Sequence, residues 1–124
     1  MISVNADPNK WAKTLYIASK TGTTTDDYDN EVATYDTPVE YKFNYRAVSS
    51  ESELAEFGEK AKITQRMVIP ISYKGTFKEF DVAYLYDNTP EDEENNGDNA
   101  NYVLLPPRNG NSVIIIYMQK IMGK

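Results

Sequence analysis

Between Val39 and Arg46 the chain reads Val-Glu-Tyr-Lys-Phe-Asn-Tyr-Arg. Val39, Tyr41, Phe43 and Tyr45 fall on one side and Glu40, Lys42, Asn44 and Arg46 on the other, the two-residue period of a half-buried antiparallel strand. Upstream, Trp11, Leu15 and Ile17 occupy odd positions with Lys13 interrupting, which predicts a first strand over about 10–19. The polar run Thr-Gly-Thr-Thr-Thr-Asp-Asp-Tyr-Asp-Asn-Glu that follows reads as turn. Over 62–73, Met67, Ile69 and Ile71 share a face, while Pro70 lacks a ladder donor and favours an edge or a bulge. Lys74-Gly75 predicts a tight hairpin into a strand over 77–86. Near the end, Asn109-Gly110 is set to turn the chain between strands over 101–108 and 111–122 by tolerating positive φ.

One segment breaks the two-residue period. In 49–58, Ser-Ser-Glu-Ser-Glu-Leu-Ala-Glu-Phe-Gly, a serine can cap a helix, Glu51 and Glu53 suit its first turn, Leu54 and Phe57 supply an apolar side, and Gly58 stops it. Six or seven strands, one short helix and no strand-helix-strand alternation predict a mainly β fold, a small antiparallel β-barrel or sandwich. At 124 residues the chain is read as a single domain, 1–124, with residues 1–9 as a flexible arm.

Charge changes the picture at one place. Residues 87–101, Asp-Asn-Thr-Pro-Glu-Asp-Glu-Glu-Asn-Asn-Gly-Asp-Asn-Ala-Asn, carry Asp87, Glu91, Asp92, Glu93, Glu94 and Asp98 without a Lys or Arg, and these six acids equal the whole net charge of −6. Only Ala100 is available for burial, so the segment is expected to be a long mobile acidic loop held out between two strands. Asp92, Glu94, Asn96 and Gly97 copy the opening of a calcium loop, but Val103 stands where the bidentate Glu belongs, so a solvated loop is the more economical reading and no metal site is assigned.

The chain has no His and no Cys, which removes triads with a histidine base, cysteine nucleophiles, disulfides and standard zinc sites. Carboxylate pairs such as Glu91 with Glu93, or Asp26 with Asp29, sit where nothing desolvates them, so no enzyme and no cofactor is expected. A sequence pI near 4.6 argues against binding nucleic acid by neutralising phosphates. The longest apolar stretch, Val113 to Met118, is too short to span a bilayer, and a soluble protein made in a cytoplasm is expected. Ten tyrosines lie mainly in predicted strands; most are accounted for by packing on a barrel wall, and a remainder is expected to face a protein partner.

The Tyr28-Asp29-Asn30-Glu31 turn, the Tyr41-Lys42-Phe43-Asn44-Tyr45 strand, the serine-rich start of a short helix ending Glu56-Phe57-Gly58, and Asn99-Ala100-Asn101-Tyr102 after the acidic loop form a pattern covering most of the chain from Tyr28 onward. In that pattern the chain resembles the head-tail joining proteins of long-tailed bacteriophages, also called head-closure or stopper proteins. None of these motifs is catalytic. The resemblance implies a β-barrel that assembles as a homo-oligomeric ring in the virion neck, under the portal and its adaptor, after synthesis in the bacterial cytoplasm. Such a ring retains the packaged double-stranded DNA without specific binding and presents a surface to tail proteins. In that setting Asp87, Glu91, Asp92, Glu93, Glu94 and Asp98 would line or gate a channel, and Ser50, Leu54, Phe57 and Gly58 would form a docking element; the alternative, that Leu54 and Phe57 plug one barrel end, carries more weight. A tail terminator or tail-completion protein is a close variant. A monomeric domain that stacks exposed tyrosines on carbohydrate, with a cation in the acidic loop, is the reading from another class.

Overall fold

The computed structural model describes residues 12–86, 88–91, 96–97 and 99–122. Its strands are β1 (Lys13–Ala18), β2 (Lys20–Thr25), β3 (Glu31–Tyr35), β4 (Val39–Ala47), β5 (Thr64–Pro70), β6 (Val82–Tyr84), β7 (Tyr102–Leu104), β8 (Arg108–Asn109) and β9 (Val113–Lys120). Helix α1 (Glu51–Phe57) runs into a 3-10 turn (Gly58–Ile63), and a second such turn (Ile71–Tyr73) follows β5. The order β5-β4-β1-β6-β7-β9, closed by pairing of β9 with β5, makes a six-stranded antiparallel barrel, with β8 added on β9. The fold is mainly β as the two-residue periodicity predicts, and of the two architectures expected, barrel or sandwich, it is the barrel. Closure leaves no free edge around the ring.

Inward residues of β1, β5, β6, β7 and β9 fill the interior: Leu15, Met67, Leu104 and Ile116 are fully buried, as is Leu85 just beyond β6. Phe43 and Tyr45 of β4 join this core, while Val39 at the strand's open end remains about half exposed. At one barrel mouth Tyr41 stacks on Phe43 and Tyr73 on Phe77, with the pairs meeting edge-on. Those rings close that mouth.

Three local expectations need correction. The run after β1 is not turn throughout: Lys20 to Thr25 forms β2, which pairs with β3 as a separate two-stranded sheet. Threonines favour extended backbone, and the turn narrows to residues 26–30. Lys74-Gly75 does not join paired strands, because the Ile71–Tyr73 turn and the irregular stretch beyond carry the chain across the barrel end, and β6 pairs with β1 and β7 instead. Pro70 does not mark an edge; it ends β5, which pairs on both sides. At Asn109-Gly110 the hairpin forms as expected, although Gly110 is needed for a different reason than positive φ: a Cβ there would lie 2.9 Å from the Val113 carbonyl oxygen. The proposed arm over residues 1–9 lies outside the described residues.

Candidate assembly surfaces

Helix α1 is short enough that its ends decide whether it forms. Ser50 caps it: its hydroxyl accepts the Glu53 amide, and the Glu53 carboxylate accepts the Ser50 amide, a complete capping box. Gly58 ends the helix at φ 56, a conformation that a side chain would strain. Of the expected docking residues, Ser50 and Gly58 are therefore the two caps. Leu54 is 48 % exposed and plugs nothing, while Phe57 is half-buried with its ring 4.9 Å from that of Tyr117 on the outer face of β9. The helix lies against the barrel wall, away from the interior.

The side chain that fixes it there is Glu53, whose place in the first turn gives no local sign of that role. Its carboxylate is buried, accepts the Tyr117 hydroxyl at 2.7 Å and the Ser50 hydroxyl at 2.8 Å, and lies 3.4 Å from the Arg66 guanidinium. Burial alone would push this carboxyl upward. The hydroxyls of Tyr117 and Ser50, with the backbone amides of Ser50 and Ser49, outweigh it and hold the carboxyl at about 2. Beside it Glu56 and Arg108 form a two-pronged ion pair, and Arg108 lies over the Tyr117 ring.

A second surface is the β2–β3 hairpin, which stands outside the barrel. Every residue from Lys20 to Val32 is exposed. Its tip is ordered by Asp26, whose carboxylate accepts the amides of Tyr28 and Asn30; those bonds lower the Asp26 carboxyl, opposite to what an acid catalyst requires. Asp29, the partner considered with it, sits at φ 62 and closes the turn. The tip lifts Tyr28 to 85 % exposure between Asp27 and Asp29. At the base the buried Asp81 accepts the backbone amides of Lys20 and Lys78, both at 2.9 Å. No periodic signal betrays this clamp, since Asp81 reads as an ordinary loop acid.

The acidic segment is tied down at its described parts. Asn101 exchanges two side-chain hydrogen bonds with the backbone of Leu85, the Asn88 amide reaches the Asn99 carbonyl, and that of Asn99 reaches the Thr89 carbonyl. Asparagines thus zip the two stems of the acidic segment together. Ala100 is fully buried with Ala18, Val82 and Tyr84, a small cluster outside the barrel against which Tyr16, Tyr35 and Val103 pack. Gly97, at φ 85, lies against the Tyr35 ring, so closely that a Cβ would come within 2.5 Å of it, and the Asn96 amide faces the Tyr35 carbonyl at 3.4 Å. Of the expected channel residues only Glu91 is described, exposed on one stem; Asp87, Asp92, Glu93, Glu94 and Asp98 lie outside the described residues. In the calcium-like pattern, Asn96 is turned to Tyr35 and Val103 is in β7.

The tyrosines divide as their strands dictate. Tyr45, Tyr84, Tyr102 and Tyr117 are buried, and Tyr28 and Tyr86 are the exposed ones. Tyr86, at φ 58, crosses the other barrel mouth, donating its hydroxyl to Gln65 and its amide to the Tyr45 hydroxyl, with the Lys13 ammonium near both rings. Such backbone strain in an aromatic residue persists where its neighbours fix it. Among the described residues no three acidic side chains converge as metal ligands, and no helix is long and apolar enough to cross a membrane. Comparison of the chain with protein-family models, with curated proteins and with solved structures returned no match.

Proposed function

We propose that the chain is a structural component of the neck of a long-tailed phage virion, a ring subunit that closes the DNA-filled head and offers the tail its attachment surface. The observation that carries this reading is the division of the molecule into a filled, closed barrel and an exposed hairpin that contributes nothing to the barrel's core. A two-stranded hairpin is marginal alone, and one ordered at its tip and clamped at its base is built for contact beyond the chain. The acidic segment supports the role because it would repel DNA phosphates, so that the genome passes without adhering. A tail terminator uses the same attributes. The carbohydrate-binding alternative draws less support, since most of the tyrosines it would use pack within the molecule.

Electron microscopy of a lysate from the encoding phage, with this gene deleted, tests the reading. Heads that have lost their DNA beside complete, unattached tails are the expected result. Overlong or unusable tails reassign the protein as a tail terminator, and normal infectious particles overturn the neck role.

A further inference from the structure

The barrel's outer wall is covered unevenly. Over β1, β6 and β7 it carries the small cluster around Ala100, and over β9 it carries α1 through Phe57 and Tyr117. The outer face of β4 and β5 is open except at its Arg46–Arg66 end, where the start of α1 meets it through Ser49 and Glu53. Alternation puts Glu40, Lys42, Asn44 and Arg46 of β4 on it, the acid at the end opposite Tyr16 of β1 and the bases beyond it, beside Arg66, Val68 and Pro70 of β5, with Arg46 directly opposite Arg66 and Asn44 opposite Val68. Like charges directly opposed cost stability unless an acid joins them. Among the described residues Glu53 reaches Arg66 and not Arg46, whose guanidinium donates to the Ala47 carbonyl and the Ser49 hydroxyl, and Lys42 is exposed. Between Ala12 and Pro70 the face meets a groove of about 220 Å³, whose lining runs from Lys42, Asn44 and Val68 to the core aromatics Phe43 and Tyr73 at the barrel mouth.

The hairpin tip is the complement of this face. It presents Asp26, Asp27, Asp29 and Glu31 around the exposed ring of Tyr28, with no base between Thr21 and Val32. The hairpin departs where β1 ends and β4 begins, so its tip and the basic end of β4 at Arg46 belong to different regions of the barrel. A contact between two different surfaces of the same chain is heterologous, and it builds a ring when the repeated rotation closes on itself and a filament when it does not.

We infer that the β2–β3 hairpin is an assembly arm whose tip docks on the outer β4–β5 face of a second copy, with Tyr28 in the groove and Asp27 and Asp29 facing Lys42 and Arg46. This interface rests on the ring reading above and specifies how one subunit grips the next. Tyr28 supplies the apolar contact, and the acids set direction and register.

The natural chain contains no cysteine, so directed crosslinking is unambiguous. Chains carrying Asp27→Cys and Asn44→Cys are mixed at high concentration and oxidised, with Asp27→Cys and Glu59→Cys as the control pair, while light scattering records the assembly mass. The first pair is expected to link several-fold faster than the control. Tyr28→Ala, or Lys42→Glu with Arg46→Glu, placed in the reacting chains should lower that rate by roughly tenfold, as should raising the salt to about 1 M, because exposed charge pairs are screened. Equal rates for the two pairs, or a rate indifferent to these substitutions and to salt, overturn the arm. A ring detected by mass without the 27–44 link overturns the interface and spares the neck role; the link forming in a protein whose gene deletion leaves particles normal does the reverse.

Discussion

Two buried carboxylates hold peripheral elements to the barrel, and they do so by different chemistry. Asp81 receives backbone amides from Lys20 and Lys78 at the hairpin base. Asp81→Ala leaves two donors without their acceptor and is expected to cost about 2 kcal/mol, read as a lower urea midpoint at an unchanged m-value. Glu53 receives hydroxyls and amides from α1 and β9, and its folded carboxyl lies at about 2 against an ordinary value of 4.5. A depressed folded value adds stability that is complete above the unfolded value and is lost as pH falls through the folded one. Unfolding free energy should therefore decline between about pH 4.5 and 2. In Glu53→Gln, which keeps the shape and removes the charge, that part of the decline should disappear; parallel pH profiles for the two proteins would refute the assignment.

Elements differ in how far the sequence announces them. The alternation in β4 announces itself because one face is buried and the other wet, and α1 is readable because its caps, Ser50 and Gly58, are local signals. What supports α1 is not readable, since Glu53 meets Tyr117 across 64 positions and local composition is blind to that. The hairpin was hidden for the opposite reason: β2 is exposed along its whole length, so Lys-Thr-Gly-Thr-Thr-Thr carries no hydrophobic period and reads as turn. The anchoring of the acidic segment's stems is likewise hidden from composition, because it rests on asparagine side chains rather than apolar ones. Gly97→Ala tests that anchoring. A side chain at φ 85 against the Tyr35 ring should cost about 1 kcal/mol or more and speed amide exchange in β3 and around Ala100, leaving β5 and β9 protected. Shortening the hairpin to a tight turn in place of residues 24–32 should leave the melting temperature within a few degrees, because none of those residues is buried.

For the whole molecule, the closed barrel carries the β2–β3 hairpin, α1 and the acidic segment on its outside, and in the proposed assembly these appendages would make the contacts. Six acids over 87–101 account for its entire net charge, so their position in an assembly would decide what DNA meets. Replacing Glu91, Asp92, Glu93 and Glu94 by their amides should slow DNA ejection and make its rate less sensitive to salt, measured by the fluorescence of released genome; unchanged retention and ejection would remove the segment from the channel. The most direct test of the central claim is a cryo-electron microscopy reconstruction of the virion neck. The expected result is a ring of these barrels at the head-tail junction, the β2–β3 hairpin of each resting on β4 and β5 of the next. A neck with no density for this barrel, or the barrel found alone elsewhere on the particle, would contradict it.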